Sequence, residues 1–374
     1  MAPIDLAQRR SEADKFDPDP GRSYCLPARY YTDPQVFSRI CERLFFRTWQ
    51  FACHESRIPE PGDYHAFSIA DQDLFVVRGN DGTIRGFYNV CQHRAHALVE
   101  GTGRARLLTC PYHAWCYGLD GKLRNAPGTQ GLASFERSSI SLQAVASEVF
   151  CGFVFVNLDP AAAPMAAQFP GVERDIRRLC PDIEDRAFAC EHEAPEPCNW
   201  LVAVENYNEC YHCKTVHRTF ASGVIDPESY NIRPVADAKS LRHTAKAQSG
   251  ESAWYDTSGS DYGSFFLWPA FSLQLYPSGL VNSYHWRPLS VEQTLVYRGW
   301  YSRDGVVDDG LQKVIDLDRD TTFAEDLALV ASVQRGLRSK GYRPGPLVVN
   351  PDEGIDSEHS VAQLHGWLRE AVDG

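Results

Sequence analysis

The chain has 374 residues, 43% hydrophobic and 23% charged, the balance of an ordinary globular protein long enough for two cores. Its net charge of -12 argues against nucleic acid or an anionic membrane as a partner, since both need basic patches. No run of about 18 apolar residues occurs, so no membrane-spanning helix is expected. The charged start MAPIDLAQRRSEADKFDPDP lacks the apolar centre of a secretory signal, so a cytoplasmic location is expected.

In chain order, the first predicted element lies in residues 23–45, an amphipathic stretch after the start signal Thr32-Asp33-Pro34. From Trp49 to Asp159 the pattern changes to short apolar runs, DLFVVRG, IRGFYNVC, RLLTCPY and VFCGFVFVNL, separated by Gly, Asn and Asp. That is the pattern of a small antiparallel β domain. Asn80-Asp81-Gly82 and Asp120-Gly121 are hairpin turn signals. Two loops of this domain carry Cys91-Gln92-His93 and, sixteen residues on, Cys110-Pro111-Tyr112-His113. Two Cys and two His suit a closed tetrahedral zinc site, or a [2Fe–2S] cluster with thiolates on one iron and imidazoles on the other. Zinc sites more often use C-x2-4-C and H-x3-5-H pairs, so a C-x-H pair favours the cluster. The other ten cysteines, Cys25, Cys41, Cys53, Cys116, Cys151, Cys180, Cys190, Cys198, Cys210 and Cys213, are expected to be buried or surface thiols.

The turn-rich segment DPAAAPMAAQFPG, residues 159–171, marks the expected boundary. Three parts follow: a helical segment at 1–44 packing on the last domain, a β domain at 45–160, and a mixed domain at 161–374. The runs FSLQLY, LVNSYHWRP and TLVYRGWYS predict an antiparallel sheet in the last part, and the chain from Thr321 onward predicts helix. The expected fold class is α+β: an N-terminal β-sandwich-like domain, then a mixed helix and antiparallel-sheet domain.

The stretch NWLVAVENYNECYHCKTVHRTF (199–220) offers His212, His217 and the carboxylates Glu205 and Glu209. Two imidazoles and one carboxylate on one face of an iron leave positions open for dioxygen and substrate. Residues five apart on an ideal helix diverge by about 140°, so convergence requires a helix end or a π-type distortion between the histidines. The third ligand must come from elsewhere. In TFAEDLALVASVQRGLR (322–338), Asp326, Val330, Val333 and Leu337 share one helix face. An acid on an apolar stripe is costly unless paired or metal-bound, although an acid also suits a helix start. Glu325, turned about 100° away, is expected to be solvated.

The pattern C-x-H-R followed by C-P-Y-H-A-W resembles Rieske centres. With the second constellation downstream, nearly the whole chain resembles the oxygenase (alpha) subunit of Rieske non-haem iron oxygenases. The resemblance implies a Rieske [2Fe–2S] cluster on Cys91, His93, Cys110 and His113, and a mononuclear Fe(II) on His212, His217 and Asp326. It implies a homotrimer in which the cluster of one subunit lies beside the iron of the next, with Glu209 as the electron-transfer bridge between them. It also implies electrons from NAD(P)H through a separate flavin and iron–sulfur reductase. The runs Glu209-Cys210-Tyr211-His212-Cys213, 325–342 and 357–368 are similar to the carnitine monooxygenase and quaternary-ammonium-oxidising branch. That similarity implies a monooxygenase that attacks a betaine or carnitine-like small molecule by N-demethylation or C–N cleavage. Two positions depart from the family pattern: Arg218 where Pro is frequent, and Ala95 where Gly is frequent. Neither removes a ligand.

Aromatic faces hold quaternary ammonium groups. The candidates are Tyr207, Tyr211, Trp268, Tyr276, Tyr284 and Trp286, with Phe265 and Phe266. Tyr284 and Trp286 alternate and share a strand face, as do Gln274 and Tyr276. An apolar core uses the same residues, and so does a pocket for flat rings. A ring-hydroxylating oxygenase acting on an aromatic acid is therefore the alternative. Arg218 and Arg287 are candidates to meet a substrate carboxylate.

Overall fold

The computed structural model describes residues 14–248, 253–255 and 261–374. The chain forms two units: Phe45–Ala167 is one, and the segment up to Leu44 joins everything from Gln168 onward in the other.

The Phe45–Ala167 unit is built from β1 (Gln50–His54), β2 (Asp63–Ile69), β3 (Gln72–Arg78), β4 (Ile84–Tyr88), β5 (Thr102–Arg104), β6 (Leu108–Thr109), β7 (Cys116–Tyr117), β8 (Leu123–Asn125), β9 (Ala144–Phe150) and β10 (Phe153–Asn157). Seven strands form one antiparallel sheet in the order β1-β10-β9-β4-β3-β2-β5, and β6-β7-β8 form a small second sheet. Leu74 to Val77 of β3 are all fully buried. An unbroken apolar run is what a strand covered on both faces requires. The β3–β4 turn uses Gly82 at φ +79°, a left-handed position that glycine adopts without strain.

In the other unit, β11 (Ala187–Glu196), β12 (Asn231–Pro234), β13 (Ser240–Ala245), β14 (Tyr262–Leu267), β15 (Phe271–Leu275), β16 (Val281–Ser290) and β17 (Gln293–Ser302) form an antiparallel sheet ordered β11-β17-β16-β15-β14-β13-β12. In the β16–β17 hairpin Tyr284 lies opposite Arg298 and Trp286 opposite Val296. The Trp200–Tyr207 helix packs on this hairpin. It starts at Asn199, whose side chain accepts from the Leu201 amide at 2.9 Å.

The helices Asp309–Asp318 and Ala324–Leu337 are joined by a π-helical turn, Arg319–Phe323. The buried line of the second helix differs from expectation. It runs through Val330, Gln334 and Leu337, while Val333 is 48% exposed. Gln334 takes the inward place because its side chain accepts from the Asn199 amide at 2.9 Å and donates to Glu292. The C-terminal helix His359–Val372 buries Val361, Leu364, Trp367 and Leu368. It meets the Pro34–Arg43 helix of the N-terminal segment, where Arg43 donates to the Val372 carbonyl at 2.9 Å. Among the described residues no helix is long and apolar enough to cross a membrane.

Candidate functional site

The two Cys/His loops share one backbone construction. In the first, Ala95 N donates to Cys91 O at 3.0 Å and Cys91 N to His96 O at 2.9 Å. In the second, Ala114 N donates to Cys110 O at 3.0 Å and Cys110 N to Trp115 O at 2.8 Å. Each loop reverses on an alanine with positive φ, +59° at Ala95 and +56° at Ala114. An L-residue there costs about 1–2 kcal/mol, so both loops are held by their surroundings. Asn89 supplies part of that hold, donating to Val99 O at 2.8 Å and accepting from Leu98 N at 2.8 Å.

Cys91 and Cys110 are buried in one core cluster with Trp115 and Tyr117. His93 and His113 are exposed, their ring centroids 4.7 Å apart, and His93 stacks on Trp115 at 4.7 Å. The Tyr117 hydroxyl lies 3.3 Å from Cys91 Sγ and accepts from the Gln92 amide at 3.0 Å. Sulfurs inward and imidazoles outward suit a two-iron cluster with an inner thiolate iron and an outer imidazole iron. Among the described residues this set is absent from the groups whose ligand atoms all lie within 4.8 Å of one another, a closeness that a single zinc ion demands.

His212, His217 and Asp326 do form such a group. The Trp200–Tyr207 helix stops at Asn208, and tight turns carry the chain to His217, which begins the Arg218–Gly223 helix. Neither a helix end nor a π distortion lies between the two histidines: both sit in the turns that separate one helix from the next, and those turns bring them together. Their Nε2 atoms lie 3.0 Å apart. Asp326 Oδ1 is 2.9 Å from His217 Nε2 and 3.6 Å from His212 Nε2.

Each ring has a second carboxylate behind it. His212 Nδ1 donates to Glu209 Oε1 at 2.5 Å, and His217 Nδ1 donates to Glu325 Oε2 at 2.8 Å. Such bonds fix the tautomer and leave both Nε2 lone pairs facing the shared point. Glu325 is therefore not merely solvated, as the ideal helix phase predicts. The π turn just ahead of it sets the start of the helix so that two consecutive acids reach the two nitrogens of one imidazole. Burial alone would lower the His217 pKa, but Asp326 and then Glu325 outweigh it and raise it. The acids favour a positive charge at this point, which a divalent cation supplies. Two imidazoles and one carboxylate with open positions are the donor set of non-haem Fe(II).

The group opens onto a cavity that reaches solvent. Tyr207, Tyr276, Tyr284 and Trp286 line it. The Tyr207 ring lies 4.7 Å from Trp286 and 5.2 Å from Tyr284, and those two stack at 5.4 Å. Ser264 and Ser272, each 2.8 Å from the Tyr207 hydroxyl, fix its ring. Four carboxylates line the cavity, Glu196, Glu209, Asp318 and Asp326, and among the described residues no Lys or Arg does. Arg298 sits behind the wall, 2% exposed, paired with Asp318 and lying over the Tyr284 ring at 4.7 Å. Burial, then the charge of Asp326, pushes the Glu196 carboxyl up to about 8.

Several expected residues lie elsewhere. Tyr211 is 46% exposed on the loop after the Trp200–Tyr207 helix and does not line the cavity. Trp268 is core: it lies past the end of β14 and packs against Trp200 and Trp367, both at 5.7 Å. Arg287 has the opposite strand parity to Tyr284 and Trp286 and pairs with Glu193. Arg218 does not line the cavity either. Cys210 and Cys213 are joined by a disulfide and are not two thiols, because the turn holding His212 brings their Cα atoms to 4.9 Å. Cys25, Cys91, Cys110, Cys116, Cys180, Cys190 and Cys198 lie outside any disulfide.

Comparison with known proteins gives a consistent picture. A model described as the Rieske [2Fe-2S] domain matches residues 48–136, and one described as the ring hydroxylating alpha subunit (catalytic domain) matches 183–374. The chain is 34% identical over 364 residues to the carnitine monooxygenase oxygenase subunit of Escherichia coli (strain K12), covering 95% of this chain and 96% of that one. It is 28% identical over 371 residues to the chloroplastic choline monooxygenase of Beta vulgaris, covering 97% and 81%. The solved structure of a quaternary ammonium Rieske monooxygenase in complex with L-carnitine superposes with a TM-score of 0.87 at 31% identity, over 96% of this chain and 98% of that chain.

Proposed function

We propose, from the premise that this chain belongs to the Rieske non-haem iron oxygenase family, that it oxidises a small quaternary ammonium compound. The family makes it an oxidoreductase whose cofactors are a Rieske [2Fe–2S] cluster and a mononuclear iron. Cys91, His93, Cys110 and His113 would hold the cluster, and His212, His217 and Asp326 the iron. When bound, these groups supply electron storage and the reduction of dioxygen.

The observation that carries the substrate class is the cavity wall. Tyr207, Tyr284 and Trp286 present aromatic faces beside the His212–His217–Asp326 group, and the lining charges among the described residues are all carboxylates. Aromatic faces and acids attract a quaternary cation. An aromatic acid offers this wall a carboxylate and no cation, whereas a quaternary ammonium compound brings a cation that the aromatic faces and acids attract, which is why the ring-hydroxylating alternative ranks second.

The protein's own groups divide the work. The cavity wall orients the cation toward the iron site and keeps bulk water from it. Glu209 fixes the His212 ring and, in a homotrimer, reaches the Rieske histidine of the neighbouring subunit. A flavin and iron–sulfur reductase in the same cytoplasm delivers two electrons from NAD(P)H. One oxygen atom then enters the substrate and the other leaves as water. Oxygenation of an N-methyl group gives a hemiaminal that loses formaldehyde, whereas oxygenation followed by C–N cleavage releases trimethylamine.

The test is oxygen uptake by iron-loaded protein with a Rieske reductase and NADH. The panel is carnitine, γ-butyrobetaine, glycine betaine, choline, stachydrine and benzoates, with formaldehyde and trimethylamine assayed. Turnover of a quaternary ammonium is expected, and uptake with benzoates alone would overturn the proposal.

A further inference from the structure

We propose that Glu196 is the counter-ion of the substrate's quaternary nitrogen, a role that rests on the quaternary ammonium reading above. Of the four carboxylates on the cavity wall, three already have a nitrogen partner. Glu209 holds His212 Nδ1 at 2.5 Å, Asp326 faces His217 Nε2 at 2.9 Å, and Asp318 pairs with Arg298. Glu196 has none among the described residues: its polar contact is the Cys198 thiol, a weak donor 4.0 Å away. Yet it is 4% exposed. Burial and the charge of Asp326 outweigh Arg298 and push its carboxyl up to about 8, so its ionised form is costly until a cation sits beside it, and a bound cation would draw it back toward the carboxylate.

The residue is also rigidly placed. It is the last residue of β11 and pairs with Thr294 of β17. Cys198 N donates to Glu196 O at 2.8 Å, and Thr294 Oγ1 donates to Cys198 O at 2.9 Å. Glu196 lies outside the His212–His217–Asp326 group of ligand atoms, so it is not a further ligand of that site.

The chemistry matches a particular kind of cation. A quaternary ammonium has no N–H and forms no directed hydrogen bond. Its charge is best met by aromatic faces and by a carboxylate that no other donor has claimed. Tyr207, Tyr284 and Trp286 supply the first on the same wall where Glu196 supplies the second.

The test compares charge with shape. Choline and its neutral isostere 3,3-dimethylbutan-1-ol are measured as competitive inhibitors of the iron-loaded holoenzyme turning over its best quaternary substrate. Wild type should favour choline by about tenfold or more. Glu196→Gln should bring the two inhibitors to within about threefold. The same variant should raise the substrate KM about tenfold while kcat, iron content and the Rieske absorption stay unchanged. Glu196→Asp, which withdraws the charge by one methylene, should give an intermediate ratio and serves where the Gln variant does not fold. A wild-type ratio in either variant would overturn the assignment while leaving the substrate class standing. Failure of the wild type to turn over any quaternary ammonium would instead overturn the reading on which it rests.

Discussion

Glu325→Ala is the most discriminating substitution near the proposed iron site, because the residue is not itself a proposed ligand and acts only through the His217 ring. It removes the acceptor 2.8 Å from His217 Nδ1. A hydrogen bond to a charged group contributes about 1.5–3 kcal/mol. The Glu325 side chain is 35% exposed, so solvent screening points to the lower end of that range. The His217 ring is 3% exposed and has no water to replace the lost partner cheaply. Loss of such an outer carboxylate typically weakens metal binding by about 10–100-fold, and the exposure argues for roughly 10-fold here. The assay is Fe(II) retention against a graded chelator series, with the Rieske absorption as an internal count of protein. Glu325→Gln keeps an acceptor oxygen and should recover most of the affinity. Unchanged iron affinity in Glu325→Ala would refute the idea that this carboxylate sets the His217 ring.

Three other outcomes follow from the same geometry. Asp326→Ala should lose the mononuclear iron and keep the Rieske spectrum; full iron content would mean that another acid is the ligand. Glu209→Ala should keep both metals yet abolish reductase-driven turnover, and normal multiple turnover would remove the bridge role. Burial, then the charge of His359, pushes the His243 pKa down to about 3. The unfolded chain therefore binds a proton near pH 6.5 that the folded protein refuses. Stability should fall as pH drops below about 6.5, by up to about 1.4 kcal/mol per unit from this group. His243→Gln should flatten the slope of the urea midpoint between pH 7 and 5, and an unchanged slope would assign the acid sensitivity to other groups.

The sequence made the candidate metal groups legible where the proposed ligands lie close together in the chain. Cys91 with His93, Cys110 with His113, and His212 with His217 each sit in one short loop, so spacing alone carries geometry. Asp326 was reachable through its place on a helix face. Glu325 was not, because ideal helical phase assumes 3.6 residues per turn and the π turn at Arg319–Phe323 breaks that phase. Strand parity placed Tyr284, Trp286, Gln274 and Tyr276 on the cavity wall. It gave no purchase on Trp268, which lies past the end of β14, or on Tyr211, which lies past the end of its helix. Glu196 shares parity with Ala194, opposite the exposed Glu191 and Glu193, but nothing local distinguishes an inward acid from an outward one. The Cys210–Cys213 link depends on a turn that spacing permits without requiring.

The most direct measurement is a single turnover without reductase. Iron-loaded protein is chemically reduced, freed of reductant, and mixed with a quaternary ammonium substrate and dioxygen. The expected result is product at up to one equivalent per catalytic site, appearing together with loss of the reduced Rieske spectrum. Product formed while the cluster stays reduced, or cluster oxidation with no oxidised substrate, would contradict a two-centre oxygenase acting on this class of compound.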